Sequence, residues 1–396
     1  MSGLLPVEEA QARLLALRAP LTSENIAFSE SLGRYLSSDV IAVRDQPAAP
    51  LSAMDGYAIR FDDLPGPWSV IGEAAAGTAP DRIVKAGEAM RIFTGAMLPD
   101  GADTVIVQED VTRDGARLTL RGDGPGTRGR HIRARAADFA AGDCLLPAGT
   151  RLTPGAIAAA AMSGAGQLAV GRRPRVAILT TGDELVQPGH PLAPGQIPDS
   201  NGAMLAAMLV GEVAETILPH HLRDDRATLA KILKELARRH DVIVTVGGAS
   251  VGDHDHVRGA LEDAGGQLDF WKIAMRPGKP LIAGTIGDAT LLGLPGNPSS
   301  AYVTATLFLL PLVRHLAGAR DPFPAVHRAP LAAALAAGGT RRDYLRARLE
   351  GGQLTPRFGQ ESGLTLPLAS ANALLIRDIG AAARAAGDMA DYIVIA

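Results

Sequence analysis

Residues 175–180 (RVAILT), followed at once by Thr181-Gly182-Asp183-Glu184-Leu185, decide how the middle of this 396-residue chain is read. An apolar run breaks into a small acidic loop, and the same design recurs. Residues 242–246 (VIVTV) run into Gly247-Gly248-Ala249-Ser250-Val251-Gly252-Asp253, and residues 291–294 end in Pro295-Gly296-Asn297-Pro298-Ser299-Ser300. Asp199-Ser200-Asn201 precedes a helical stretch, and Arg276-Pro277-Gly278-Lys279-Pro280 forms another break. Strand and helix alternate over 175–317, the mark of a largely parallel sheet. In an open α/β sheet the loops at strand C-termini gather at one edge, where ligands bind. Glycine-freed amides and helix N-termini make that edge attractive to phosphates and other anions.

At 396 residues the whole chain exceeds the size at which a single core stops growing, so about two to four domains are expected. Apolar residues make up 47% and charged residues 20%, an ordinary globular balance. A net charge of −3 and only 4% aromatics leave no electrostatic or stacking footprint for nucleic acid. The single cysteine, Cys144, excludes an intramolecular disulfide and a cysteine-based metal site, and reads as a small buried hydrophobe. The N-terminus has no signal pattern, and the longest apolar run, 301–313, is too short for a bilayer and contains Pro311. A cytoplasmic setting without membrane contact is the expectation.

Spacing predicts an amphipathic helix over 6–18, from Val7, Ala10, Leu14 and Leu15. Prolines 47 and 50 mark a boundary, after which 51–138 read as mostly β, with an Asp114-Gly115 hairpin turn. The Gly/Arg stretch 121–130 reads as a solvated loop. Pro322 and Pro324 close the α/β unit, and 325–396 read as a small β domain with runs at 343–349, 354–357, 374–377 and 392–395. The expected division is therefore 46–138 (inserted β-rich), 1–45 with 139–172 (elongated, linking), 173–322 (α/β) and 323–396 (β).

Several motifs admit competing readings. Asp183 and Glu184 follow a strand directly, where two hard-oxygen acids could hold Mg²⁺ beside phosphates or simply cap a turn. Asp224-Asp225 and Asp253-His254-Asp255-His256 add carboxylates at the same rim, and repeated acids there would repel an anion without a cation between them, which favours metal. A zinc site from the histidines lacks a third ligand. Gly248-Ala249-Ser250-Val251-Gly252 matches a nucleophile elbow, but Gly252-Asp253-His254-Asp255 prolongs the loop where a hydrolase needs a helix. Asn297 and Pro298 suit N-cap and N1 positions of a buried helix, and Lys272, Arg276 and Lys279 supply cations nearby. No Walker A or G-x-G-x-x-G sequence is present.

Together SAMDGYA (52–58), FTGA (93–96) with LPDGADTVIVQED (98–110), TTGDEL (180–185), PDSN (198–201), VGGASVGDHD (246–255), RPGKP (276–280) and GLPGNPSS (293–300) resemble, in order, the molybdopterin molybdenumtransferase family of bacterial MoeA and the gephyrin E domain. The resemblance implies a multidomain α/β plus β protein: a three-layer molybdopterin-binding α/β domain, an inserted β-rich domain, an elongated linking region and a C-terminal β-barrel-like domain. It implies Mg²⁺-assisted insertion of molybdate into adenylylated molybdopterin with release of AMP. It also implies a homodimer with a composite site, and a molybdopterin adenylyltransferase as upstream partner. Asp55, Thr94, Asp138, Glu184, Asp224 and Asp255 are the implied catalytic residues, with Asp183, Glu184 and Asp255 at the metal. Thr181, Gly182, Asp183, Ser200, Asn201, Gly247, Gly248, Ser250, Gly252, Lys272, Arg276, Lys279, Pro295, Gly296, Asn297, Ser299 and Ser362 are the implied substrate-holding residues. Two departures stand out: Ala136-Ala137 precede Asp138 where the family usually has Gly-Glu, and Arg276 replaces the usual lysine. They leave room for another oxyanion, such as tungstate. Alternatives are an adenylyltransferase, whose relatives resemble 175–317 alone, and a non-catalytic molybdopterin-binding scaffold.

Overall fold

The alternation over 175–317 folds as predicted in the computed structural model, which describes residues 4–248 and 256–395. Strand β1 (Arg175–Thr181) leads through α1 (Ser200–Val210) to β2 (Glu215–Leu222), then through α2 (Arg226–Leu236) to β3 (Val242–Val246). Helix α3 (His256–Asp263) precedes β4 (Gln267–Lys272), β5 (Pro280–Ile286) and β6 (Ala289–Leu294). The six strands lie in the order β2-β1-β3-β6-β5-β4. The first four are parallel, and β5 and β4 add an antiparallel edge. The first crossover leaves β1 toward one side and the second returns to the other, so the strand order reverses between β1 and β3. That reversal is where such sheets open a crevice.

Strand alternation divides the sheet between two apolar layers. Val176, Ile178, Val244 and Val246 pack with Leu205, Leu209 and the helix after β6, while Leu179, Ile243 and Leu291 pack with Leu229, Leu233, Val257 and Leu261. Burial on both faces explains why these strands are nearly all apolar. The apolar run beyond β6 forms α4 (Pro298–Thr304), a π turn (Ala305–Leu309) and α5 (Leu310–Leu316). The π turn lies immediately before Pro311, which lacks a donor and would crowd the carbonyl four residues back in a regular helix. The N-terminal helix forms over Val7–Ala16 and buries Val7, Ala10 and Leu14 in this same layer.

A second six-stranded sheet holds Thr104–Val107, Gly56–Ile59, Glu88–Ile92, Trp68–Ala74, Arg117–Leu120 and Val111–Asp114, in that spatial order. Its hairpin turns one residue later than predicted. Asp114 still pairs with Arg117, so Gly115 and Ala116 form the loop, with Gly115 taking the positive φ of 58° that its position requires. On either side of this sheet in sequence, Ser23–Ile26 pairs with Leu168–Gly171 and Val40–Ile41 with Cys144–Leu146, sharing a core of Leu36, Leu152, Leu168 and Val170. Cys144 is exposed there, contrary to the buried hydrophobe expected, because it sits on a two-stranded ribbon too small to cover it.

At the C-terminus, Gln353–Pro356, Arg342–Glu350, Ala373–Arg377, Met389–Val394 and Val326–Pro330 pair in that spatial order around a ring. A Leu331–Leu354 bridge and the Ala332 amide donating to the Leu354 carbonyl at 2.9 Å close it into a barrel. Met275–Arg276, from the β4–β5 connection, pairs parallel with Arg342 and Asp343 of the barrel. No helix among the described residues is long and apolar enough to cross a membrane.

Candidate active site

A cleft of about 750 Å³ opens at the C-terminal ends of β1, β3 and β6. Thr181, Gly182 and Glu184 line it after β1, Gly247 and Gly248 after β3, and Pro295, Gly296 and Asn297 after β6. The first turn of α1 adds Ser200 and Asn201, and Asp224 enters from the loop after β2. Gly363 and Thr365 form a far wall from the barrel, and no sequence motif marked either. The separate loops of the sequence thus share one crevice.

Backbone geometry dictates some of these glycines. Gly247 has φ +94°, and a Cβ there would lie 2.3 Å from the Thr181 carbonyl oxygen; Gly248 has φ +62°. Only glycine fits both restrictions at position 247. Gly296 differs, since an added Cβ would meet nothing nearer than 3.6 Å, the Gly247 Cα. Packing therefore does not require a glycine at 296, and its missing side chain leaves room in the cleft.

Buried polar groups brace the floor. Thr180 Oγ1 donates to Asp199 Oδ2 at 2.6 Å, and Asp199 Oδ1 accepts the Gly202 amide at 3.1 Å, capping α1. Asn201 Nδ2 donates to the Gly296 carbonyl at 2.6 Å, tying α1 to the β6 loop. A ring nitrogen of His221 lies 2.9 Å from the Gly182 carbonyl oxygen and so holds the acidic loop. Thr181 Oγ1 and Asn201 Oδ1 are buried with no hydrogen-bond partner among the described residues. Leaving such an atom unpaired costs about 1–3 kcal/mol, so two at one cleft point to a polar ligand.

Asp183 and Glu184 are exposed at the rim, and the Asp224 amide donates to Asp183 Oδ1 at 3.4 Å. Asp225 instead caps α2: the Thr228 amide donates to it at 2.6 Å. Hydrogen bonds from the Thr228 hydroxyl and amide hold its carboxyl below the usual carboxylate range. No three described acidic, histidine or cysteine groups gather closely enough to chelate an ion. Two carboxylates beside substrate phosphates nevertheless suit Mg²⁺, which needs few protein ligands. Ser250, Gly252 and Asp255 lie outside the described residues.

Other expected site residues are tied into the protein or stand beyond the cleft. Asn297 occupies the N-cap position, yet its side chain makes no capping bond and donates through Nδ2 to Ser362 Oγ at 2.9 Å. Ser299 is fully buried, its hydroxyl donating to the Leu364 carbonyl at 2.9 Å and its amide to the Ser362 carbonyl at 3.0 Å. Ser299 thus fastens the barrel loop to α4; its hydroxyl is already committed within the protein. Lys272 ends β4 opposite Pro280, which does line the cleft, while Arg276 and Lys279 lie beyond the lining. Burial and the nearby Arg276 charge push the Arg346 guanidinium below its usual value.

Asp55 and Thr94 meet on the β-rich sheet, away from the cleft lining. The Thr94 amide and hydroxyl donate to Asp55 Oδ1 at 2.7 and 2.8 Å, and these two bonds hold the Asp55 carboxyl below the usual range. Arg91 stacks over Phe93 and Tyr57, at 4.8 and 5.1 Å from the ring centres, and donates to the Gly56 carbonyl. Asp138 is exposed, with its amide donating to Gln46 O at 2.9 Å. None of the three lines the cleft of its own chain.

Models of three protein regions match the chain in order. The MoeA N-terminal region (domain I and II) matches residues 5–164, the probable molybdopterin binding domain residues 177–315, and the MoeA C-terminal region (domain IV) residues 328–395. A molybdopterin molybdenumtransferase of Staphylococcus aureus is 31% identical over 98% of this chain and 95% of its own length. One from Nostoc sp. is 38% identical over 88% of this chain and 83% of its own. Among solved structures, a molybdopterin biosynthesis moeA protein of Pyrococcus horikoshii superposes with TM-score 0.85 at 26% identity, covering 99% of this chain and 100% of that one. A second structure of that description gives TM-score 0.81 at 30% identity over 99% of both chains.

Proposed function

The chain belongs to the molybdopterin molybdenumtransferase family, enzymes of molybdenum cofactor biosynthesis that insert molybdenum into molybdopterin, and from that premise we propose how its cleft is used. The substrate is adenylylated molybdopterin, laid across the C-terminal edge of the sheet, with molybdate as second substrate and AMP as product. Thr181 and Asn201 hydrogen-bond its polar groups, and the amides around Gly247, Gly248 and Gly296 surround its phosphates. Asp183 and Glu184, with Asp255, which lies outside the described residues, would hold Mg²⁺ for the pyrophosphate, and Asp224 acts beside them. When bound, that ion would neutralise phosphate charge and polarise the phosphoanhydride, so that an oxygen of water or molybdate attacks phosphorus and AMP leaves. The chain's own contribution is positioning and charge balance, with no covalent enzyme intermediate.

The observation carrying this reading is the pair of orphaned buried oxygens, Thr181 Oγ1 and Asn201 Oδ1, beside a glycine cradle and an acidic rim. Asp55 and Thr94, remote from the cleft of their own chain, act in the site of a second copy, giving a composite homodimeric site. Asp138 belongs with that contribution. Lys272, Arg276 and Lys279 act at longer range, offsetting phosphate and molybdate charge. We further propose the division into 1–45 with 139–172, 46–138, 173–322 and 323–396, supply of substrate by a molybdopterin adenylyltransferase, and action in the cytoplasm.

Purified protein given adenylylated molybdopterin, molybdate and Mg²⁺ should release AMP. Glu184→Ala and Asp55→Ala should each slow release by about a hundredfold, the cost of misplacing reacting groups. Unchanged rates in either variant would refute the assignment of that residue. AMP release undiminished by a chelator would refute the Mg²⁺ role.

A further inference from the structure

The parallel strands have a second edge, and it carries a second concavity. At the N-terminal ends of β1 and β3 and the β5–β6 turn lies a pocket of about 450 Å³. It brings together Arg18, Arg172, Arg175, Lys234 and Arg238, against the carboxylates of Asp241 and Asp288. In a chain with net charge −3, this is a marked local excess of positive charge.

The pocket is pre-organised. Asp241, with 2% of its side chain exposed, accepts from Arg172 at 2.8 Å and from the Arg175 amide at 2.9 Å, and lies 3.7 Å from Arg18. One buried carboxylate therefore fixes three guanidinium groups that remain partly exposed, with side-chain accessibilities of 25% to 44%. A single carboxylate neutralises only one of the three. The Lys234 and Arg238 side chains are exposed and have no ion-pair or hydrogen-bond partner among the described residues. Their place at the end of α2 suits the helix dipole, but that explanation does not reach Arg18, Arg172 or Arg175, which come from other elements. His240 takes no part, since Nδ1 lies 3.0 Å from the Leu236 carbonyl and the residue is buried. Convergent arginine forks match phosphate oxygens geometrically, and the volume admits a short chain of phosphates.

We propose that this pocket is a second anion site that binds a polyphosphate group, inorganic or carried by a nucleotide. It is separate from the cleft and stands independently of the function proposed there. Its concavity favours a small anion over an acidic protein surface.

The test is calorimetric titration of the full chain with tripolyphosphate and with ATP. Lys234→Ala/Arg238→Ala should weaken binding at least about tenfold, the effect of one lost charge-assisted bond or more. Asn201→Ala, a cleft variant, should leave it unchanged. Binding of both ligands would mean that the phosphate chain suffices, and binding of ATP alone that the nucleoside is also read. Absence of binding by both, or equal affinity in wild type and the double variant, would overturn the proposal. So would tighter binding of poly-glutamate than of tripolyphosphate, since that would identify an acidic-peptide surface.

Discussion

At the scale of single residues, two glycines of the same cleft have different reasons to be there. Gly247 is fixed by φ and by the Thr181 carbonyl, so Gly247→Ala should strain the backbone by about 1–3 kcal/mol and lower the melting temperature. Gly296→Ala meets no such obstacle and should melt with the wild type while weakening substrate binding, measured as an increased KM for adenylylated molybdopterin. If both variants lose stability alike, the cleft glycines share one structural role and the distinction fails. The sequence marked both positions because glycine-rich loops announce themselves locally. It could not separate their roles, since that depends on the Thr181 backbone reaching across from a neighbouring strand. Ser299 shows the same boundary: a hydroxyl in a phosphate-binding motif reads as a ligand until a loop 65 residues later occupies it.

At the scale of elements, Asp241 couples the start of β3 to β1 and β6. It accepts the Arg175 amide, and its carbonyl accepts the Thr290 amide at 2.9 Å. Burial alone would raise its pKa, but Arg172 and the Arg175 amide outweigh that and leave the carboxyl below its usual value. Its stabilising contribution is thus complete above the unfolded pKa of about 3.9 and disappears as pH falls through the folded value. Asp241→Ala should cost about 1–3 kcal/mol at neutral pH, by leaving the Arg175 amide without its acceptor and three partly exposed guanidinium groups uncompensated. Urea unfolding at stepwise lower pH should show the gap to wild type closing on acidification below about pH 4. A gap that stays constant through that range would mean the carboxylate contributes packing alone.

The strands legible from sequence were those with β-branched or alternating runs, such as Val242–Val246 and Ala373–Arg377. Val326–Pro330 was missed because it is a largely exposed strand whose sequence, VHRAP, carries no alternation. Met275–Arg276 was missed because two residues have no period to read, and only the barrel gives them a partner. The cleft was legible as a set of loops at strand ends. Its far wall, Gly363 and Thr365, was not, because nothing local distinguishes them.

At the scale of the whole molecule, the separation of Asp55 and Thr94 from the cleft gives the proposed composite site its test. Mixing Glu184→Ala with Asp55→Ala protein, each about a hundredfold slow alone, should restore activity to about a quarter of wild type, because random exchange would leave one intact site in half of the dimers. A site completed within one chain would show no recovery in AMP release. The three matching regions together span most of the chain, which accounts for why short motifs spread from residue 52 to residue 300 could identify a whole family.

The strand Met275–Arg276 leaves the α/β sheet to join the barrel, while Asn297 and Ser299 grip the barrel loop from the other side. A jaw pinned at two points does not swing freely. The barrel wall of the crevice is therefore braced from two sides, and changes deep in the barrel should retune how tightly it grips without touching the guest. For anyone reshaping specificity, the barrel is the adjusting screw.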